Sequence, residues 1–137
     1  MDPEVWGPHG WYFLHSITLA YPDNPTNDDK IYHKNFFESL KNILPCEKCR
    51  NHYTQTLMTY PIENHLENKE SLFKWLVDVH NRVNIDNSKR EYSYDEVTKL
   101  YENMYSKNKN GYYISNTILL VIFIILVIVI IIYYKYK

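Results

Sequence analysis

Cysteine, glycine and any excess of basic charge are what this 137-residue chain has least of. Two cysteines are too few for a disulfide-built scaffold, so the soluble part must hold by packing. A single pair in a reducing compartment is catalytic or metal-binding more often than structural. Glycine numbers three, valine is scarce in the soluble part, and no alternation of apolar and polar residues persists, which argues against sheet structure. Lys and Arg number 15 against 16 Asp and Glu, giving a net charge of -1 and no basic stripe, so nucleic acid is not an expected partner. The N-terminal stretch MDPEVWGPHGWYF has neither a basic start nor a long apolar run, and no signal peptide is expected from it.

What the chain does have is one long apolar run. Thr117 to Ile132, TILLVIFIILVIVIII, carries no charge. With Ile114, Tyr133 and Tyr134 the stretch reaches the roughly 20 residues that span a bilayer, and it is apolar all round where a core helix keeps a polar face. Tyr112, Tyr113, Tyr133, Tyr134 and Tyr136 bracket it as an aromatic belt, and Lys107, Lys109, Lys135 and Lys137 are placed to reach head groups. The expected organisation is a soluble domain over 1–106, a tether over 107–113, a transmembrane helix over 114–134 and a short basic tail over 135–137. This predicts a single-pass C-terminal tail anchor with the soluble domain facing the cytosol. Lysines on both flanks leave the positive-inside rule silent on orientation.

In the soluble part, apolar residues recur at intervals of three and four, predicting helices over 8–20, 27–44, 46–60, 71–84 and 93–107. YPDNPTN (21–27) stops the first, Pro45 resets the chain before the cysteines, and YPIENHLENK (60–69) reads as a polar connection. Ser93 with Glu96 forms a capping box for the fifth. Leu72, Trp75, Leu76, Val79 and Val83 make one apolar stripe on the fourth helix, and Val97, Leu100, Tyr101 and Met104 make one on the fifth. Short connections favour antiparallel neighbours. The expected fold is all-α, a compact four-helix bundle plus a short fifth helix, followed by the transmembrane helix.

The chemistry centres on LPCEKCRNHY (44–53). A helix beginning at Pro45 would put Cys46 in its first turn, where the helix dipole and free N–H groups favour the thiolate and draw its pKa below the usual ~8.5. Cys49 lies one turn on, within reach of a disulfide, an arrangement suited to thiol–disulfide exchange. A zinc site is the alternative, with His52 extending the pattern and His65 or His80 completing it, yet on a continuous helix His52 points about 120° away from Cys46. Two further stretches offer aromatic and imidazole groups together. GPHGWYFLHSITLAYP (7–22) places Trp11 and His15 one turn apart with Tyr21 at the far end, and KWLVDVHNRVN (74–84) sets His80, Asn81 and Asn84 at the border of a buried stripe. Two helices offering Trp and His toward one interior suggest walls for a flat guest with polar edges.

GPHGWYFLH, YPDNP, LPCEKCRNHY and WLVDVHNRVN, in this order and spacing, resemble the Erv/ALR family of FAD-linked sulfhydryl oxidases over residues 7 to about 105. The resemblance implies a helical bundle that cradles FAD with the Cys-x-x-Cys against the isoalloxazine. By position it implies flavin-nucleotide contacts for Gly7, Trp11 and His15, with Tyr21 lining the pocket. His80, Asn81, Val83 and Asn84 would surround the adenine and ribose end, with Lys89 near the phosphates and Tyr101 as an aromatic wall where tryptophan is common. His52 also matches many members.

The implied reaction has a substrate dithiol attack Cys46, a second thiol resolve the mixed disulfide, and Cys49 pass the electron pair to the flavin, which oxygen reoxidises to give hydrogen peroxide. Implied partners are protein dithiols or a thioredoxin-like relay, oxygen, and a second copy of the chain in a homodimer. Pro8 stands where arginine is frequent, and Val77 and Tyr94 where many relatives carry a structural disulfide. A minimal, membrane-anchored, cytosol-facing member most resembles the versions of large cytoplasmic DNA viruses, which implies disulfide formation in viral proteins and a virion membrane as one location. The reading from a different class is a zinc-stabilised, tail-anchored helical adaptor without catalysis.

Overall fold

The computed structural model describes residues 1–109 and 116–137, with the side chains of 107–109, 116 and 117 left aside. Six α-helices follow one another: α1 (Pro3–Ala20), α2 (Asn27–Ile43), α3 (Glu47–Thr59), α4 (Lys69–Asp86), α5 (Tyr94–Lys109) and α6 (Asn116–Lys135), with a 3-10 turn at Ile62–His65 between α3 and α4. No strand occurs among the described residues, as the sequence predicts. The chain divides into two compact units, Met1–Val97 and Thr98–Lys137.

Local chemistry sets the helix ends in the first unit. The Asp2 side chain accepts the Glu4 N–H at 2.9 Å and Pro3 opens α1, so this helix starts five residues before the predicted position and carries Pro8 inside it. Thr26 and Asp29 form a reciprocal capping box at the start of α2, a signal the sequence holds and our reading passed over. Asn68 caps α4 through Ser71 N–H, and Ser93 and Glu96 make the expected box at α5.

Within this unit α1 packs on α4 and α2 on α3, while the 3-10 turn lies against both α2 and α4. Leu72, Trp75, Leu76 and Val79 of the predicted stripe are fully enclosed and Val83 is half-buried, while Phe73 and Val77 are buried as well, so α4 is covered on more sides than one stripe provides. Trp75 is the centre. Its ring meets Phe37 edge-on at 5.1 Å and its Nε1 donates to the Tyr60 carbonyl at 2.9 Å. The phenols of the core resolve their polar tips in the same way, Tyr53 donating to Phe37 O and Tyr21 to Leu66 O. Residues 60–69 are therefore more than a polar connection. Ile62 and Leu66 are buried in the core cluster, and the turn at Pro61 lets two apolar side chains enter between polar ones.

At the positions where the resemblance places a structural disulfide, Val77 is buried and the Tyr94 hydroxyl donates to Asp78 Oδ1 at 2.8 Å, with Lys74 Nζ 5.5 Å from the Tyr94 ring centroid. Packing and this hydrogen bond thus join α4 to the start of α5. On α5, Val97 is buried, whereas Leu100 and Met104 of the predicted stripe are exposed.

In the second unit, α6 is long and apolar enough to cross a membrane and is exposed along its length. Tyr133 and Tyr134 contact edge-on near its end. Tyr112, Tyr113 and Ile114 lie outside the described residues, as does most of the predicted tether, while the backbone of 107–109 continues α5.

Phe37→Ala removes the ring that Trp75 rests on, and a loss of about 3–5 kcal/mol is expected. Thermal unfolding of the full chain in detergent checks it against Tyr32→Ala, an exposed residue of the same helix expected to cost little; equal midpoints for the two would contradict this core.

Candidate functional site: a disulfide at a helix start and a Trp–His wall

Cys46 and Cys49 are joined in a disulfide with Cα atoms 5.1 Å apart, both half-buried. Cys46 is the N-cap of α3 itself, one position earlier than a first-turn residue, and its Sγ accepts the Cys49 N–H at 3.2 Å. The sulfur thus occupies the place where an N-cap oxygen normally satisfies a free amide. A thiolate formed there by reduction would keep that bond and face the positive end of the helix dipole.

The second group lies where α1 meets α4. Trp11 stacks on His80 with ring centres 3.8 Å apart and planes 8° from parallel. His15 Nε2 and His80 Nδ1 are 3.2 Å apart, one donating and the other accepting, and His15 sits edge-on to Phe73. His15 is buried, and its pKa is lowered to about 3, by loss of solvation first and by His80 second. His80 is lowered to about 4, again by burial first and then by the positive charge of Lys89. Both imidazoles are therefore neutral near pH 7, and each then has one nitrogen to donate and one to accept.

The remaining predicted positions have partners of their own. Gly7 is buried on α1, and a Cβ built there would meet no atom within 4 Å. The Asn81 amide donates to Tyr92 O at 2.8 Å while its oxygen accepts Tyr92 N–H at 2.9 Å, pinning the loop before α5. Asn84 is buried, and its carbonyl accepts the Lys89 N–H at 2.7 Å. Val83 is half-buried, and its carbonyl receives the backbone and side-chain N–H groups of Asn87. Lys89 Nζ pairs with Glu4 Oε1 at 3.3 Å, tying this loop to the start of α1. Tyr21 is fully enclosed, its hydroxyl held by Leu66 O and its ring edge-on to His33. His52 pairs with Asp86, which also takes Arg82, beside a cleft of about 290 Å3 lined by Gln55, Thr56, Thr59 and Tyr60. Tyr101 lies on α5 in the second unit. Among the described residues, no three His, Cys, Asp or Glu side chains gather to hold a metal ion.

Sequence reasoning missed three participants. Asp86 and Glu4 pair with predicted residues from distant parts of the chain, and nothing local announces them. Trp6 was legible, because it stands one turn before Gly10 and its ring packs where a side chain at Gly10 would reach. Its buried Nε1–H has no hydrogen-bond partner among the described residues. A buried donor left unmade costs about 1–3 kcal/mol, so a molecule offering an acceptor would satisfy it. This orphan donor, the room at Gly7 and the flat Trp11–His80 wall fit a planar cofactor with polar edges.

Comparison with known proteins identifies the family of the chain. Residues 8–103 match the Erv1 / Alr family. The chain is 40% identical over 114 residues to a probable FAD-linked sulfhydryl oxidase of Acanthamoeba polyphaga mimivirus, covering 82% of this chain and 80% of that protein. It is 34% identical over 101 residues to an FAD-linked sulfhydryl oxidase of African swine fever virus, covering 71% and 80%. Among solved structures, the FAD binding domain of Erv1 from Saccharomyces cerevisiae superposes with a TM-score of 0.66 at 29% identity, covering 69% of this chain and 89% of that one.

The histidine pair gives a pH dependence whose sign follows from its depressed pKa values. The unfolded chain takes up protons below about 6.5 while folded His80 and His15 resist until about 4 and about 3. Their contribution is complete above 6.5 and is lost as pH falls through that window, at about 1.4 kcal/mol per pH unit for each ring. Thermal midpoints measured from pH 7 to 5 should fall, and less steeply in His80→Asn; identical slopes would show that the pair does not titrate on unfolding.

Proposed function

The chain belongs to the Erv1 / Alr family, and from that premise we propose how this FAD-linked sulfhydryl oxidase, a thiol oxidase, uses the residues described above. The observation that carries the reading is the Cys46–Cys49 disulfide at the start of α3 in a chain with no other cysteine. A structural disulfide bridging one helical turn would constrain almost nothing, whereas a redox-active one belongs at such a helix start.

In this reading a substrate thiolate attacks Cys46 Sγ, the S–S bond breaks, and Cys49 leaves as a thiolate. A second substrate thiol displaces Cys46, so the substrate loses two electrons and two protons and the pair gains them. FAD supplies the two-electron redox chemistry that returns the pair to the disulfide. The net reaction is two thiols and O2 to one disulfide and hydrogen peroxide. Trp11, His15 and His80 provide the wall for the ring system, with Gly7 leaving room beside it. Asn81, Val83, Asn84 and Lys89 shape the α4 end, Asn81 by fixing the Tyr92 backbone. Tyr21 and His52 support α1 and α3 respectively.

The substrates we assign are protein dithiols, reached directly or through a thioredoxin-like relay. The apolar helix α6 supports anchoring in a membrane with the catalytic unit on the cytosolic side. The viral relatives support a role in making disulfides in viral proteins, in a compartment that otherwise keeps thiols reduced, with a virion membrane as one location. A homodimer is supported by the exposed aromatic residues Phe13 on α1 and Tyr32 on α2, 58% and 67% exposed, on either side of the half-buried Phe36 that Phe13 meets edge-on.

Cys49→Ser should retain FAD yet abolish peroxide formation from dithiothreitol, a drop of about a hundredfold or more. Turnover close to the wild type would reject the two-sulfur route.

A further inference from the structure

The turn that presents the disulfide is three residues long. Leu44 is the C-cap of α2, Pro45 follows and has no N–H to give, and Cys46 is the N-cap of α3. One side chain of α3 reaches back across that proline. Arg50 Nη1 donates to the Leu44 carbonyl at 2.6 Å, while its backbone N–H makes the ordinary first helical bond of α3 to the Cys46 carbonyl at 3.0 Å. The first of these satisfies an end carbonyl of α2 with a charged donor, a stronger bond than one between neutral groups.

We propose that Arg50 is a positioning residue for thiol–disulfide exchange, clamping the Leu44–Cys46 turn so that the Cys46 sulfur stays at the α3 N-cap in the reduced as well as the oxidised pair. This rests on the oxidase reading and deepens it. The reduced state depends on the clamp more than the oxidised one. The disulfide holds Cys46 beside Cys49 covalently, but once the S–S bond is broken only the turn keeps the sulfur under the Cys49 N–H and the helix dipole. Loss of the clamp therefore destabilises the reduced form relative to the disulfide, and the pair becomes harder to reduce. The outer sulfur also becomes a poorer leaving group in the mixed disulfide, so the second exchange step slows.

The test uses the full chain in detergent and needs no flavin turnover. The Cys46–Cys49 pair is equilibrated anaerobically with mixtures of reduced and oxidised dithiothreitol and its redox state read by alkylation and mass. Arg50→Gln should shift this equilibrium about tenfold toward the disulfide, equivalent to about 30 mV. Arg50→Lys, which keeps the charge but lacks the planar fork, should shift it in the same direction by about threefold. If Arg50→Gln does not fold, the lysine variant alone decides. An equilibrium within about 1.5-fold of wild type in the folded variants, whatever their melting temperature, would overturn the clamp. A wild-type chain whose disulfide equilibrates in this way but which never turns over with FAD would reject the oxidase reading while leaving the Arg50 result intact.

Discussion

A helix that turns Leu72, Trp75, Leu76 and Val79 wholly inward, and buries Phe73 and Val77 too, has few directions left for a polar group. On α4 the imidazole of His80 comes one residue after Val79, at the edge of that packing, and must find a partner as burial removes its water. It finds two on α1: the face of Trp11 and the ring nitrogen of His15. The α1–α4 contact that closes the core is therefore the same contact that builds the wall proposed for the cofactor. Loosening one loosens the other.

The redox pair obeys a different constraint. It stands at a helix start, where an N-cap sulfur takes an amide that would otherwise lack a partner, and a core position would have deprived it of access to protein thiols. The fold thereby separates two tasks. Rigid packing around Trp75 positions the wall, and a short turn between α2 and α3 presents the sulfurs. The absence of any other cysteine fits this division, since the link from α4 to α5 is made by Tyr94 and Asp78 and leaves no second disulfide to exchange with the first.

Much of this was legible in the sequence, for reasons that can be stated residue by residue. The period of apolar positions located all five helices of the soluble part, and Ser93–Glu96 marked the start of the last within one residue. Pro45 located the cysteines at a helix beginning. What local pattern could not give was partnership across the chain. Trp11 and His80 belong to different helices, and their near-parallel stack depends on how α1 and α4 pack, which no spacing within either helix reveals. The attachment of Asn81 to Tyr92 and of His52 to Asp86 is hidden for the same reason. The early start of α1 is readable in Asp2 and Pro3, and Pro8, where the predicted helix begins, lies inside it although it has no N–H to give. Residues 60–69 misled because their polar letters outnumber Ile62 and Leu66, the two that carry the packing.

The measurement that tests the central claim most directly is the visible absorption spectrum of the purified full chain in detergent, recorded before and after anaerobic addition of dithiothreitol and again after air is admitted. The account predicts a yellow protein whose flavin band bleaches with the dithiol and returns with oxygen, and whose Cys46→Ser and Cys49→Ser variants hold the colour but fail to bleach at the wild-type rate. A folded chain that binds no FAD, or one whose flavin bleaches equally fast without either sulfur, would contradict it.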